Sequence, residues 1–297
     1  MKTVDLFCGV GGLSLGFKKA GFKILSSYDY WDKAVQVYKN NFKHPVQQFD
    51  LSNSELASLE INRFNPEIII GGPPCQDFSH AGKRNEGGRA DLTYSYANII
   101  QTVKPEWFVM ENVDRAKNSV TYSKAREIFK NAGYGLTEKV LDSSFCGVPQ
   151  KRKRFFCIGK LNAEDDFLNE ILTSGLSKNP MTLRSYFGDE LNLEHYYRHP
   201  RNYSRRGVFS IDEPAPTIRG VNRPVPPNYT QHKGDPVGLD NIRPLTTAER
   251  ARVQTFPSTF VWTGSKTDME QMIGNAVPVE LAKYVGKAIM KYIKQNS

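Results

Sequence analysis

From Val4 to Ile158 the chain alternates short apolar runs with stretches of helical spacing, and this rhythm most limits the folds open to it. Runs 4–7, 23–27, 67–70, 107–110 and 155–158 read as strands. Between them Leu13, Phe17 and Ala20 mark a helix face closed by Gly21, and Ala125, Ile128, Phe129 and Ala132 mark another closed by Gly133. That order is the βαβ grammar of a doubly wound sheet with helices on both faces. Near Lys178 the rhythm stops. Nine of the seventeen prolines fall between Lys178 and Pro244, mixed with Arg, Tyr and Gly, which predicts a small second domain of irregular and short-strand structure. A helix returns over 278–294, with Pro278 near its first turn and Leu281, Tyr284, Val285, Ala288, Ile289 and Ile293 on one apolar face. The expected organisation is a first domain over 1–177 completed by 258–297, and a second over 178–257. A chain of 297 residues, 39% of them hydrophobic, is long enough for one large core and one smaller domain.

Several classes are disfavoured. No run approaches the roughly 18 apolar residues of a membrane span, and 3–7 lacks a signal-peptide pattern, so the expected compartment is the cytoplasm. Cys8, Cys75, Cys146 and Cys157 are scattered, with no CxxC pair and no His cluster at zinc spacing, so neither a disulfide framework nor a metal site is indicated. The net charge of +9, with a pI near 9.2, favours a polyanionic partner; a merely solvated basic surface is the alternative.

Asp5 to Leu13 reads as a strand end, a glycine turn (Gly9, Gly11, Gly12) and a helix start, where a ligand can approach bare backbone and free N–H groups. The dinucleotide pattern GxGxxG fails, because Ser14 stands at the third glycine, and a nicotinamide enzyme is disfavoured. Asp29 ends the second strand about seventeen residues beyond the glycines, where a carboxylate accepts from ribose hydroxyls. Tyr30 can stack on an adenine, and Asp50 can accept from its amino group. Either aspartate alone could equally be a turn residue. Together they describe an adenosine ligand without pyrophosphate, which S-adenosylmethionine fits.

Gly71 Gly72 Pro73 Pro74 Cys75 Gln76 follows the third apolar run. A lone cysteine is more often a small core residue than a nucleophile. Here two prolines stiffen the approach and a polar, glycine-punctuated segment follows, so the thiol is expected to face a cleft and attack an electrophilic carbon. Glu111 ends the next run on the same sheet edge. Its apolar neighbours are expected to raise its pKa, so that it can give a proton to a heterocycle nitrogen. In Gln150 Lys151 Arg152 Lys153 Arg154, alternation puts Arg152 and Arg154 on one face, either as a basic strand edge or aimed at ligand oxygens.

Phe7-x-Gly9-x-Gly11-Gly12, Pro73 Pro74 Cys75 Gln76, Glu111 Asn112 Val113, Gln150-x-Arg152-x-Arg154, Arg252-x-Gln254-x-Phe256-Pro257 and Gly274 Asn275 Ala276 Val277 Pro278 resemble, in order, the motifs of the DNA (cytosine-5) methyltransferases. The resemblance spans both ends of the chain and stops only in the Pro-rich region. It implies a Rossmann-like S-adenosylmethionine-dependent sheet with a small β-rich target-recognition domain, in a compact enzyme of the bacterial or phage restriction-modification type. It also implies that Cys75 adds to C6 of a cytosine flipped out of duplex DNA, Glu111 engages N3 and the exocyclic amine, Arg154 binds O2, and Arg152 supports the catalytic loop and phosphates. The positions matching the family's cofactor contacts are Phe7, Gly9, Gly11, Leu13, Asp29, Tyr30, Asp50, Leu51, Pro74, Leu92, Asn275 and Val277. S-adenosylhomocysteine would be the product. Tyr30 stands where relatives often have tryptophan, and Asp29 where they often have glutamate. The segment 76–91, with Lys83, Arg84 and Arg89, resembles the family's mobile loop over DNA.

From His195 to Lys233 there are seven Arg or Lys against two acids, interleaved with tyrosines, a mixture suited to phosphate grip and major-groove contacts. Arg198, Arg201, Arg205, Arg206, Arg219 and Arg223 are the candidate readers, and 217–220 is the candidate base-contacting loop. The expected partners are double-stranded DNA and a cognate restriction endonuclease acting on the same site; the expected state is a monomer. A tRNA cytosine-5 methyltransferase is the nearest rival. A silent DNA-binding homologue would be expected to lack Cys75, Glu111 or Arg154, and all three are present.

Overall fold

The computed structural model describes residues 1–74, 92–202 and 204–296. They form two compact units: 1–141 with 153–176 and 282–297, and 142–152 with 177–281.

The first unit is built on a seven-stranded sheet. Its strands are β1 (Lys2–Leu6), β2 (Lys23–Asp29), β3 (Val46–Gln48), β4 (Ile68–Gly71), β5 (Trp107–Val113), β6 (Tyr134–Asp142) and, after the short β7 (Gln150–Lys151) of the second unit, β8 (Lys153–Leu161). The order is β3-β2-β1-β4-β5-β8-β6. β1 to β5 pair in parallel, while β8 runs antiparallel to β5. Ile68 to Ile70, Trp107 to Met110 and Phe155 to Ile158 are wholly buried, as strands covered on both faces must be. The apolar runs 107–110 and 155–158 understate their strands, because β5 continues through Glu111 and β8 begins at Lys153; polar residues there were not legible as strand.

The helices of this unit are α1 (Gly12–Lys19), α2 (Asp32–Asn41), α3 (Ser54–Asn62), α4 (Leu92–Val103), α5 (Val120–Asn131) and α6 (Asn169–Ser174). α1 and α5 lie where the periodicity places them, and Gly21 and Gly133 beyond their ends have φ of 102° and 92°. Phe108 packs its ring 4.3 Å from Phe129 and 5.0 Å from Tyr134 at the centre of the core.

In the second unit come α7 (Leu183–Phe187), the antiparallel pair β9 (His195–Tyr197) and β10 (Val208–Ser210), and β11 (Ala215–Pro216), which pairs in parallel with β7. α8 (Thr247–Val253) and α9 (Lys266–Asn275) follow. Leu183, Phe187, Tyr196, Phe209, Ile218, Leu245, Val253 and Ile273 share one core. That shared core explains why the division falls at Ala282 and not at 258: α9 contributes Ile273 to the second unit. The last helix, α10 (Val279–Asn296), crosses the division, and its Tyr292 ring lies against Trp107 and Phe167 in the first unit. Among the described residues, no helix is long and apolar enough to cross a membrane, and no His, Cys, Asp and Glu cluster could hold a metal.

Phe108→Ala should cost about 3–5 kcal/mol, as expected for emptying a fully buried aromatic site. Urea unfolding followed by circular dichroism would show it as a lower midpoint.

Candidate active site

The strand order reverses between β1 and β4, since the chain proceeds outward through β2 and β3 on one side and through β5 on the other. In open parallel sheets ligands bind at the carboxyl ends of strands flanking such a reversal. β1 ends there in the glycine turn, and β4 ends there in Gly71 Gly72 Pro73 Pro74.

Leaving β1, Phe7 takes a left-handed φ of 56°, an uncommon conformation for a bulky residue. A Cβ on Gly9 would meet nothing within 4 Å, so its backbone faces open space. A Cβ on Gly11, at φ 91°, would lie 2.5 Å from the Phe42 ring and 2.7 Å from Tyr38. One face of the turn is thus packed and the other is accessible, as a backbone cradle requires. Asp29 fixes the turn: its carboxylate accepts from Gly9 N–H at 2.7 Å and from Trp31 N–H at 2.8 Å. Burial pushes its pKa up, and the two amides pull it back. The sequence offers Asp29 both as a ribose acceptor and as a turn residue, and these two bonds are those of a turn residue. Tyr30 beside it is 71% exposed, leaving its ring available for stacking. Asp50 is exposed and accepts from Ser52 N–H at 2.9 Å, whereas Leu13 and Leu51 are buried. Leu92 opens α4 half-buried, and Pro74 is exposed. Asn275, exposed, and Val277, buried, belong to the second unit.

Beneath the turn runs a polar chain. Ser14 Oγ donates to Asp5 at 2.6 Å, Tyr38 Oη donates to Ser14 Oγ at 2.6 Å, and Tyr38 Oη lies 2.7 Å from both Ser27 Oγ and His44 Nε2. Burial pushes the Asp5 carboxyl up to about 7, against the pull of Ser14.

Glu111 and Asn112 of β5 lie against the Gly72 Pro73 segment after β4. Asn112 Nδ2 donates to Pro73 O at 3.1 Å, and a Cβ on Gly72 would lie 3.2 Å from Glu111 Oε2. Arg154 pairs with Val113 across the antiparallel β5 and β8, so it shares a sheet face with Glu111, two residues back. Arg154 Nε lies 2.9 Å from Glu111 Oε1, with side chains 14% and 10% exposed. Burial lowers the Arg154 pKa and Glu111 opposes that shift. The apolar-neighbour argument for Glu111 left out this counter-charge. Cys75 itself, with Lys83, Arg84 and Arg89, lies outside the described residues. The other three thiols are buried: Cys8 is pushed well above its ordinary value by burial, and Cys146 and Cys157 up to about 12, which leaves each a poor nucleophile.

Arg152 departs from its sequence reading. The strand breaks at this residue between β7 and β8, and the side chain is only 2% exposed. It belongs with the second unit, where its guanidinium donates to Ile218 O at 3.0 Å, Gly274 O at 3.0 Å and Ala276 O at 3.2 Å. The strand is interrupted at Arg152, so the alternation read from 150 to 154 is not that of one continuous strand.

The candidate readers divide in two. Arg201, Arg205 and Arg223 are exposed. Arg206 pairs with Glu213 and covers the Phe209 ring at 4.2 Å. Arg198 donates to Thr217 O at 2.8 Å, and Arg219 donates to His199 O. Burial, then the neighbouring Arg219, pulls the Arg198 pKa down to about 10. Arg198, Arg219, Arg223, Arg250 and His199 line one cleft within this unit. Crowded guanidiniums of that kind favour an anionic or acceptor-rich ligand.

The sequence model of the C-5 cytosine-specific DNA methylases matches residues 1–291. The chain belongs to that family. Over 298 residues this methylase is 57% identical to the type II methyltransferase M.HindV of Haemophilus influenzae, covering 99% of this chain and 98% of that one. It is 50% identical to M.HgiDI of Herpetosiphon aurantiacus, covering 99% and 96%. Among solved structures, a DNA modification methyltransferase encoded within an E. coli prophage superposes with a TM-score of 0.73 at 21% identity, covering 99% of both chains. The Dnmt2 methyltransferase of S. pombe gives 0.72 at 19% identity, covering 100% and 99%. The fold of the methylase is therefore that of the C-5 methyltransferases, and its relatives are restriction-modification enzymes.

Two expectations follow for the methylase. Arg154→Met should strip Glu111 of its counter-charge in a mostly buried place and cost about 3–5 kcal/mol, measured by chemical denaturation. Native Asp5 holds its proton to about pH 7, whereas the unfolded carboxyl releases it near 3.8. Stability therefore falls as pH rises through that window and is level above it. The stability of Asp5→Asn relative to wild type should grow by up to about 4 kcal/mol across the window, read from urea midpoints at stepped pH.

Proposed function

We propose that the methylase transfers a methyl group from S-adenosylmethionine to C5 of a cytosine flipped out of a specific duplex DNA sequence, through a covalent bond between Cys75 and C6. The observation that carries this reading is the Glu111–Arg154 pair set beside Gly72 and Pro73, two residues short of Cys75.

Cytosine C5 is a weak nucleophile. Addition of the Cys75 thiolate at C6, with a proton supplied at N3, turns the ring into an enamine with electron density at C5. Glu111 is the residue for N3 and the exocyclic amine, and Arg154 for O2. Their mutual ion pair holds both before a base arrives; Glu111 takes up a proton as the base docks, gives it to N3 when Cys75 adds, and takes it back when Cys75 leaves. The cofactor, when bound, supplies an electrophilic methyl on a sulfonium sulfur. Gly9 would offer it backbone, Asp29 a ribose acceptor, and Tyr30 an adenine platform, with Phe7, Gly11, Leu13, Asp50, Leu51, Pro74 and Leu92 shaping its pocket. The open side of Gly9 fits such a ligand. Loss of the C5 proton to ordered water and expulsion of the Cys75 thiolate then release 5-methylcytosine. Extruding the base costs a few kcal/mol, offset by contacts from the segment that includes Lys83, Arg84 and Arg89 and from the arginines of the second unit. The enzyme would act as a monomer on bacterial DNA in the cytoplasm, protecting a site that a cognate nuclease cuts.

Duplex DNA carrying 5-fluorocytosine at the target should trap a covalent complex with wild type, visible as a shifted band under denaturing conditions, and none with Cys75→Ser. An equal adduct from that variant would remove Cys75 from the mechanism. Labelled methyl groups should appear in duplex DNA and not in tRNA; label in tRNA alone would overturn the substrate assignment.

A further inference from the structure

Residues 217–221 form a loop whose backbone is held almost entirely by side chains. Thr217 O accepts from Arg198 at 2.8 Å, Ile218 O from Arg152 at 3.0 Å, and Val221 O from Arg250 at 3.2 Å. Arg219 O also accepts from Arg250, and Ile218 N–H donates to Gln150 Oε1 at 2.7 Å. Two of these holders continue to the end of α9. Arg152 reaches Gly274 O and Ala276 O with its second terminal nitrogen. Gln150 donates to Gln254 Oε1 at 2.7 Å, and Gln254 donates to Ile273 O at 2.6 Å and Ala276 O at 3.1 Å. The backbones also touch: a Cβ on Gly274 would lie 2.2 Å from Gly220 N and 2.4 Å from the Arg219 carbonyl carbon. Loop and helix end are thus one packed object, with a planar cationic fork between them.

We propose that Arg152 is a positioning residue for sequence selectivity, which holds the 217–221 loop at a fixed height over the end of α9 so that its side chains meet base edges in register. The inference rests on the reading of the second unit as the part that recognises DNA. Only a guanidinium suits the post: its nitrogens diverge in one plane, so one can serve Ile218 O while the other serves Gly274 O and Ala276 O. An ammonium is a point donor and cannot span the two segments. Base readout is lost when a bidentate contact drifts out of line, whereas phosphate contacts tolerate such drift and do not depend on sequence. Loosening the loop therefore damages discrimination more than it damages binding.

The test compares kcat/KM on the cognate site, found by bisulfite sequencing, with kcat/KM on sites differing by one base pair. Arg152→Lys should lower that ratio about tenfold or more, the size of one lost bidentate contact. Gly274→Ala, which pushes the loop from the other side, should lower it in the same direction, and it carries the test alone should Arg152→Lys not fold. Phe108→Ala, a core substitution in the first unit, should lower the melting temperature and leave the ratio unchanged. Arg152→Gln should leave the slope of log K for DNA against log salt as in wild type; a slope reduced by about 0.9 would mean that Arg152 grips a phosphate and overturns the proposal. A rate that falls equally on every site in both Arg152→Lys and Gly274→Ala overturns it too. Absence of any DNA methylation by wild type would sink the functional reading itself, and this inference with it.

Discussion

Parallel pairing of β1, β4 and β5 is the constraint from which the site follows. Parallel strands end on the same edge, so the glycine turn after β1, the Gly72 to Pro74 segment after β4 and the Glu111 end of β5 are brought together without any contact among their side chains being needed first. The reversal of strand order between β1 and β4 then opens the edge at one place. Chemistry concentrated at that place needs rigid support, which comes from below: the stacked rings of Tyr38 and Phe42 behind Gly11, the Asp29 carboxylate on Gly9 N–H, and Asn112 on Pro73 O.

Charge inside this chain is handled by pairing at short range. Glu111 meets Arg154, and in the second unit Arg250 meets Glu270 at 2.8 Å with side chains 7% and 4% exposed. Such pairs contribute little net stability compared with apolar replacements, but removing one partner is costly, so they persist where geometry matters more than energy. Asp5 is the contrasting case. It has no cationic neighbour among the causes of its shift, and burial keeps its proton near neutrality. The difference shows how the same carboxyl chemistry is held by a counter-charge in one place and by its own proton in another.

Much of the first unit was legible. The apolar runs of β1, β2, β4, β5 and β8 and the Gly-closed helices α1 and α5 carry their periodicity openly, because each buries a face against one sheet. β6 was not, since Tyr134 to Asp142 mixes Thr, Glu and Lys into a strand with one partly exposed end. α8 and α9 went unread behind the Pro-rich stretch, although Thr246 and Glu249 form a capping box that a search for helix starts would find. At the site, Glu111 and Arg154 were legible as a pair of motifs, but their ion pair required the antiparallel register of β5 and β8, which no local pattern contains. The position of Arg152 was least legible of all: its partners stand 66 to 124 residues away, and the strand is interrupted at it.

The composition of the second unit bears on how it can be exchanged between relatives. Its β11 pairs with β7, and its loop at Ile218 is held by Gln150 and Arg152, all contributed by 142–152, a stretch separated from the rest of the unit by the whole of β8 and α6. A variable region exchanged between relatives by recombination over 178–257 alone would arrive without the short strand and the two side chains against which it is built. Inheritance of an intact second unit therefore favours crossovers that carry 142–152 along, or donors whose own residues there already match. Substitution of exposed side chains such as Arg201, Arg205 and Arg223 would leave that framework untouched, whereas replacement of the region as a cassette would not.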